Sequence, residues 1–268
     1  MIDRPHDTGR ARDTGRQRGF SLVELMVSLV LASLVILGVI GVYSSSRETF
    51  VTQDDLGRMQ ESMRIGNGIV ERTLRQGSFR QIPLQRDQNP LLLAAFGFVP
   101  VTGIEGAGTT IGQSDTVEIV YNGSTDPATA TADGGIVDCL GASVAGNVQS
   151  RNRFQVRVDA GRPWLACSTD GGATWTNLVP DVEAMEVQYG IYSSENRSVT
   201  NYVTWSNVAD PLRVVALRVH LLYRSATEVG VAQSPRTYQL GEQLYGPFPD
   251  RFLRSASEAT IVIRSVAL

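Results

Sequence analysis

The sequence predicts an α+β protein in which one long N-terminal helix, transmembrane in its first half and amphipathic in its second, packs on an antiparallel β-sheet head. Three observations predict it. Phe20 to Tyr43 is an almost unbroken apolar run, FSLVELMVSLVLASLVILGVIGVY, interrupted by a single acid, Glu24. Ser44 to Phe79 is free of proline and sets Leu56, Met59, Met63, Val70 and Leu74 at helical three/four spacing. Beyond Gly112 the pattern turns to period-two alternation rich in β-branched residues, with neither a βαβ unit nor an internal repeat.

Taken in order, the apolar run as a helix spans roughly 35 Å at 1.5 Å per residue, enough to cross a hydrocarbon core of ~30 Å. A carboxylate costs a few kcal/mol in such a core. Glu24 therefore calls for a partner charge, most economically one supplied by another chain. In the second half of the helix Ile65 and Ile69 widen the apolar stripe, while Arg58, Glu61, Arg64, Glu71, Arg72 and Arg75 fill the rest. Gly57, Gly66 and Gly68 each weaken this half by about 1 kcal/mol relative to Ala. Pro83, Pro90 and Pro100 mark the end of the helix and a stretch of irregular structure.

Strands are predicted at Thr116–Tyr121, Phe154–Asp159, Val182–Tyr192, Arg213–Arg224 and Thr260–Ile263. In the third, Met185, Val187, Tyr189 and Ile191 share a face opposite Glu186 and Gln188. In the fourth, Val215, Leu217, Val219, Leu221 and Tyr223 oppose Arg218, His220 and Arg224. This is the pattern of an antiparallel sheet covered on one side only, with the amphipathic half of the helix as the cover.

Composition narrows the function classes. With 42% hydrophobic residues a core remains after the membrane helix is subtracted, and a net charge of −3 argues against a general nucleic-acid binder. Every basic residue is arginine; there is no lysine. Before Gly19, the arginines at 4, 10, 12, 16 and 18 outweigh the aspartates at 3, 7 and 13. By the positive-inside rule this flank stays cytoplasmic and everything after Tyr43 is periplasmic.

The junction RGFSLVELMVSLVLASLVILG resembles the class III leader junction of type IV pilins and pseudopilins: a basic residue, Gly19, Phe20, then Glu24 and about twenty apolar residues. The resemblance implies that a prepilin peptidase cuts between Gly19 and Phe20 and methylates the new N-terminal Phe20, while the apolar helix stays on the mature protein. A secretory signal differs, being cut after its apolar core at a small-x-small site, and no such site follows Tyr43.

Further motifs in the head, Asp138-Cys139-Leu140-Gly141, Arg151-Asn152-Arg153-Phe154, Leu165-Ala166-Cys167 and Leu178 to Glu183 leading to Gln188-Tyr189-Gly190, resemble the PilW family of minor pilins. So do RVVALRVHLLYRS and the closing RFLRSASEATIVIRS. This second resemblance runs from about residue 136 to the end. In the closing segment the arginine cluster expected of the family is thinned to Arg251 and Arg254.

Cys139 and Cys167 are the only cysteines. In an oxidising periplasm such a lone pair forms a disulfide, and two ligands cannot make a structural zinc site.

Other motifs bear on an enzyme and are weighed against structural roles. Ser168-Thr-Asp170-Gly-Gly172-Ala-Thr174-Trp175 fits the Asp-box pattern of sialidases and other propellers. A single copy reads as a hairpin device in which Asp170 and Gly172 make the turn and Trp175 packs beneath. With His6 in the leader, only His220 is left for acid–base chemistry, and it lies on a predicted strand. Asp126, Asp133 and Asp138 lack the dense spacing of a calcium loop and read as a solvated loop.

The sequence thus divides into a cleaved leader, 1–19; the transmembrane half of the helix, 20–43; its periplasmic amphipathic half, 44–79; and a globular periplasmic head, 80–268. The reading is a non-enzymatic minor pilin of the inner membrane and then of the pilus. It helps initiate type IV pilus assembly, and so twitching motility, within a minor-pilin tip complex. Its expected partners are the other minor pilins, the major pilin, prepilin peptidase and a tip adhesin, with no nucleic acid, cofactor or metal. The alternatives are a type II secretion pseudopilin and a membrane-anchored periplasmic carbohydrate-binding or hydrolytic protein.

Overall fold

The computed structural model describes residues 19–81, 99–192, 198–229 and 236–263. The leader arginines, His6, Pro83 and Pro90 fall outside these residues. The chain forms two compact units, Met1–Thr49 and Phe50–Leu268. One helix, α1 (Leu22–Arg75), supplies the described helical residues of the first unit and then enters the second.

Ser21 precedes α1 and caps it: its Oγ accepts from the Glu24 N–H at 3.2 Å. Within the apolar half, Ser28 and Ser33 donate to the carbonyls of Leu25 and Val30 at 3.0 and 2.7 Å, so their hydroxyls are satisfied by the helix itself. The helix ends at Arg75, short of Phe79. Ser78 adopts φ +61° and its N–H donates to Val120 O at 3.0 Å, which turns the chain onto the first sheet.

Among the described residues the head forms two antiparallel sheets and a small hairpin. Sheet one runs in chain order through β1 (Val101–Ile104), β2 (Thr116–Asn122), β3 (Gln149–Asp159), β4 (Arg162–Ser168) and β5 (Thr176–Pro180). Sheet two has the order β11-β8-β6-β7, from β6 (Val182–Tyr192), β7 (Val199–Val203), β8 (Val214–Glu228) and β11 (Phe252–Val262). The hairpin pairs β9 (Tyr238–Leu240) with β10 (Gln243–Tyr245). The five predicted strands correspond to β2, β3, β6, β8 and β11. The short β1, β4, β5, β7, β9 and β10 carry too few alternating residues to announce themselves.

From Phe50 onward α1 lays Met59, Val70 and Leu74 into one continuous core. That core takes Val117, Ile119 and Tyr121 from β2, Phe154 from β3, Leu165 from β4, Met185, Val187 and Tyr189 from β6, Leu217, Val219, Leu221 and Tyr223 from β8, and Ile261 from β11. Leu56, Met63 and Ile69 pack at its margin, whereas Ile65 stays 42% exposed. Gly66 is the closest approach: a Cβ there would lie 2.4 Å from the Tyr223 hydroxyl.

One expectation fails. Sheet two is not open on its second face, because the β9–β10 hairpin lies on it, where Leu240 and Tyr245 join Ala184 and Leu222 in a separate buried cluster. Glu186 and His220, read as solvent-facing, are buried in consequence. Alternation reports which residues share a face, but not whether a distant hairpin returns to cover it.

Candidate functional site

The candidate site is the start of the apolar helix. Gly19 and Phe20 precede α1 and both are exposed, Phe20 by 82%. Glu24 sits in the first turn, one turn from Phe20, where the unpaired N–H groups of the helix favour a carboxylate. From Phe20 to Tyr43 every side chain is exposed, and the helix is long and apolar enough to cross a membrane. An amine created at Phe20 would thus stand within a helical turn of Glu24, at the end of an apolar rod uncovered by its own chain.

In the head, Cys139 and Cys167 form a disulfide with Cα atoms 6.5 Å apart. It ties the 136–144 turn to β4, and Asn152 Oδ1 braces that turn by accepting from the Cys139 N–H at 2.8 Å.

Asp170 is wholly engaged in its own turn. Its oxygens accept from Ser168 Oγ at 2.6 Å, from Thr174 Oγ1 at 2.5 Å and from the Ala173 and Thr174 N–H groups. Those bonds, Ser168 first, hold its carboxyl well below the usual range. Gly172, at φ +104°, and the Trp175 Nε1–H donated to Gly172 O at 3.0 Å close a hairpin between β4 and β5, and Arg157 lies over the Trp175 ring. The arrangement is a hairpin turn.

The three loop aspartates do not converge. Asp126 accepts from Ala128 N, Asp133 from Gly135 N and Ser124 Oγ, and Asp138 from Leu140 N and Ala142 N. Among the described residues no group of His, Cys, Asp and Glu is placed to hold a metal ion. His220 faces Gln188 at 3.5 Å and Glu258 at 3.7 Å, and burial lowers its pKa.

The closing segment separates its two arginines. Arg254 has a side chain only 3% exposed, bonded through Nε to Glu183 at 2.6 Å and through Nη1 to Asp250 at 2.6 Å, and stacked on Phe248. Arg251 is half exposed and pairs with Glu228 at 3.3 Å. Arg254 is therefore a core fastener, and Arg251 the one of the two that solvent can reach.

Sequence reasoning missed Asp115, Glu186 and Tyr245, which the fold brings together on β6. No spacing links them, since they come from a loop, a strand and a late hairpin.

Comparison with known proteins agrees with these features. Residues 153–265 match the family model of type IV pilus-assembly protein W, PilW, and residues 14–40 match the prokaryotic N-terminal methylation motif. No curated protein matches the chain. Among solved structures, a type IV-like pilin from Thermus thermophilus is similar at 13% identity, over 79% of this chain and 99% of its own, with a TM-score of 0.42.

Proposed function

We propose that this type IV pilin-like chain, whose head resembles PilW, is a minor pilin that helps to initiate pilus assembly within a tip complex of minor pilins. The observation that carries the reading is the methylation motif over residues 14–40, which falls on Gly19, Phe20 and Glu24 at the head of an exposed apolar helix. The PilW match over residues 153–265 supports the minor-pilin assignment.

In this reading residues 1–19 are a leader, and prepilin peptidase cleaves after Gly19 and methylates Phe20. Residues 20–43 hold the protein in the inner membrane with the head, 80–268, in the periplasm, and 44–79 join the two. Glu24 pairs with the methylated amine of its own chain or of a neighbouring pilin as subunits leave the lipid. The attraction is large in low dielectric, and an unpaired charge there is costly. The head presents surfaces to other minor pilins, the major pilin and a tip adhesin, and performs no catalysis.

Intact-mass analysis of the membrane-extracted protein tests the reading. It should give a chain beginning at N-methylated Phe20, and a bulky or charged replacement of Gly19 should leave the leader attached. A chain that retains Met1 on most molecules in cells with active prepilin peptidase would remove the pilin assignment.

A further inference from the structure

Glu186 lies on a strand face whose alternation calls for solvent, yet it is only 8% exposed. Its Oε1 accepts a hydrogen bond from the Tyr245 hydroxyl of the overlying β9–β10 hairpin. A second carboxyl reaches the same place from the loop leading into β2. Strand β7 pairs with β6 only over Tyr189–Tyr192, and Asp115 takes up the edge that β7 leaves open. The Asp115 N–H donates to Met185 O at 2.9 Å, and its Oδ2 accepts from the Val187 N–H at 2.9 Å. Its Oδ1 accepts from the Gly106 N–H at 2.7 Å. The charge of Asp115 acts on Glu186 at this site.

The groups facing Glu186 supply no positive charge. Asp115 comes from the loop before β2, Glu105 from the loop after β1, Tyr245 from β10, and His220 stands opposite on β8. Glu105 accepts from the Ser206 N–H at 3.0 Å. Burial disfavours the charged form of His220, whose ring is turned toward Gln188 and Glu258. The neighbouring Arg218 is directed to Glu258 and the Tyr202 ring. Among the described residues, no guanidinium pairs with Asp115 or Glu186.

Two neighbouring buried carboxyls without a cation disfavour a second charge, so one of them keeps its proton. Burial raises both. Asp115 keeps the negative charge because two backbone N–H groups point at it, and Glu186 keeps the proton. Burial, and then the charge of Asp115, push Glu186 up to about 8. So protonated, Glu186 has a proton to donate and still accepts from Tyr245.

We propose that the β9–β10 hairpin is a proton-latched flap, held on sheet two by protonated Glu186 and loosening as pH rises, which on opening uncovers the apolar floor of Ala184 and Leu222. Opening hydrates Glu186 and returns it to an ordinary carboxyl value of about 4.3. Between that value and the raised one, the open form is ionised and the closed form is not, so each opening releases a proton. The opening equilibrium then grows by close to tenfold per pH unit. Above about 8 both forms are ionised and the dependence ends.

Amide hydrogen exchange on the full chain in detergent micelles tests the latch, with rates corrected for intrinsic exchange between pH 5 and 9. Protection of the Tyr238–Tyr245 amides should fall by about tenfold per pH unit between pH 5 and 7 and level off above 8, while Leu217–Leu221 of β8 stays level. Glu186→Gln can bond both Asp115 and Tyr245 and cannot ionise, so it should abolish the slope. Asp115→Asn removes the charge that helps raise Glu186 and should end the slope at a lower pH. Protection in the unmodified protein that does not vary with pH would overturn the proposal, as would a slope that survives in either Glu186→Gln or, unshifted, in Asp115→Asn.

Discussion

Two glycines on the same helix should respond in opposite directions to the same substitution. Gly68 has nothing within 4 Å of an added Cβ, so Gly68→Ala should stabilise the protein by up to about 1 kcal/mol, the propensity difference in a helix interior. At Gly66 a Cβ would lie 2.4 Å from the Tyr223 hydroxyl and 3.4 Å from Cζ. Tyr223 is fully buried, and its hydroxyl donates to Asn67 Oδ1 at 3.3 Å, the oxygen that also accepts from Ser257 Oγ at 3.0 Å. A carbon–oxygen contact needs close to an ångström more, so the ring must move and give up that bond. Overpacking costs about 1–3 kcal/mol and the lost hydrogen bond about 1, against the same gain of about 1 from propensity. Gly66→Ala should therefore destabilise by about 1–3 kcal/mol. Denaturant unfolding of the full chain in detergent, followed by tryptophan fluorescence, measures both. Tyr223→Phe removes the obstructing oxygen and should recover much of the Gly66→Ala loss in a double-mutant cycle. If Gly66→Ala stabilised the protein as Gly68→Ala does, the packing of α1 on β8 argued here would be wrong.

Two further outcomes are expected. Cys139→Ser opens a loop of 28 residues and should lower stability by about 3–4 kcal/mol, read as a fall in the melting temperature of the oxidised protein, with no free thiol detectable in the parent without reductant. Glu24→Ala should leave leader cleavage and head folding intact while reducing co-purification with other minor pilins and pilus number, and Glu24→Asp should retain part of the activity. Wild-type piliation by Glu24→Ala at native expression would make the carboxylate a bystander.

The sequence announces most plainly what is repetitive. The apolar run, the stripe through Met59, Val70 and Leu74, and the alternation of β6 and β8 are each long enough to read, and in β6 and β8 the alternation gives the face turned to the main core but not the cover over the other. Short strands escaped for a physical reason. Strand β4, RPWLACS, is buried at Pro163 and from Leu165 to Ser168, with no clean alternation, and β9 and β10 have three residues each. The junction was legible because its chemistry is local: Gly19, Phe20 and Glu24 lie within one helical turn or next to it. The Asp115–Glu186 pair was not, because its members meet only when a loop edge and a late hairpin close on β6.

The absence of lysine gains a structural sense from that pair. A guanidinium can bridge two carboxylates or share one, and the head uses this repeatedly. Buried Glu118 is held by Arg151 and Arg153, Asp181 by Arg162 and Arg224, and Glu183 by Arg224 and Arg254. Removing one partner from such a set leaves a buried charge uncompensated, at a cost of about 3–5 kcal/mol. Asp115 and Glu186 depart from this arrangement. Where Glu118, Asp181 and Glu183 have arginine, this pair has a tyrosine, backbone N–H groups and one proton. Arginine cannot be titrated away in a protein, whereas that proton can. Under the β9–β10 hairpin, therefore, a change of pH has something to act on that the arginine-held acids do not offer.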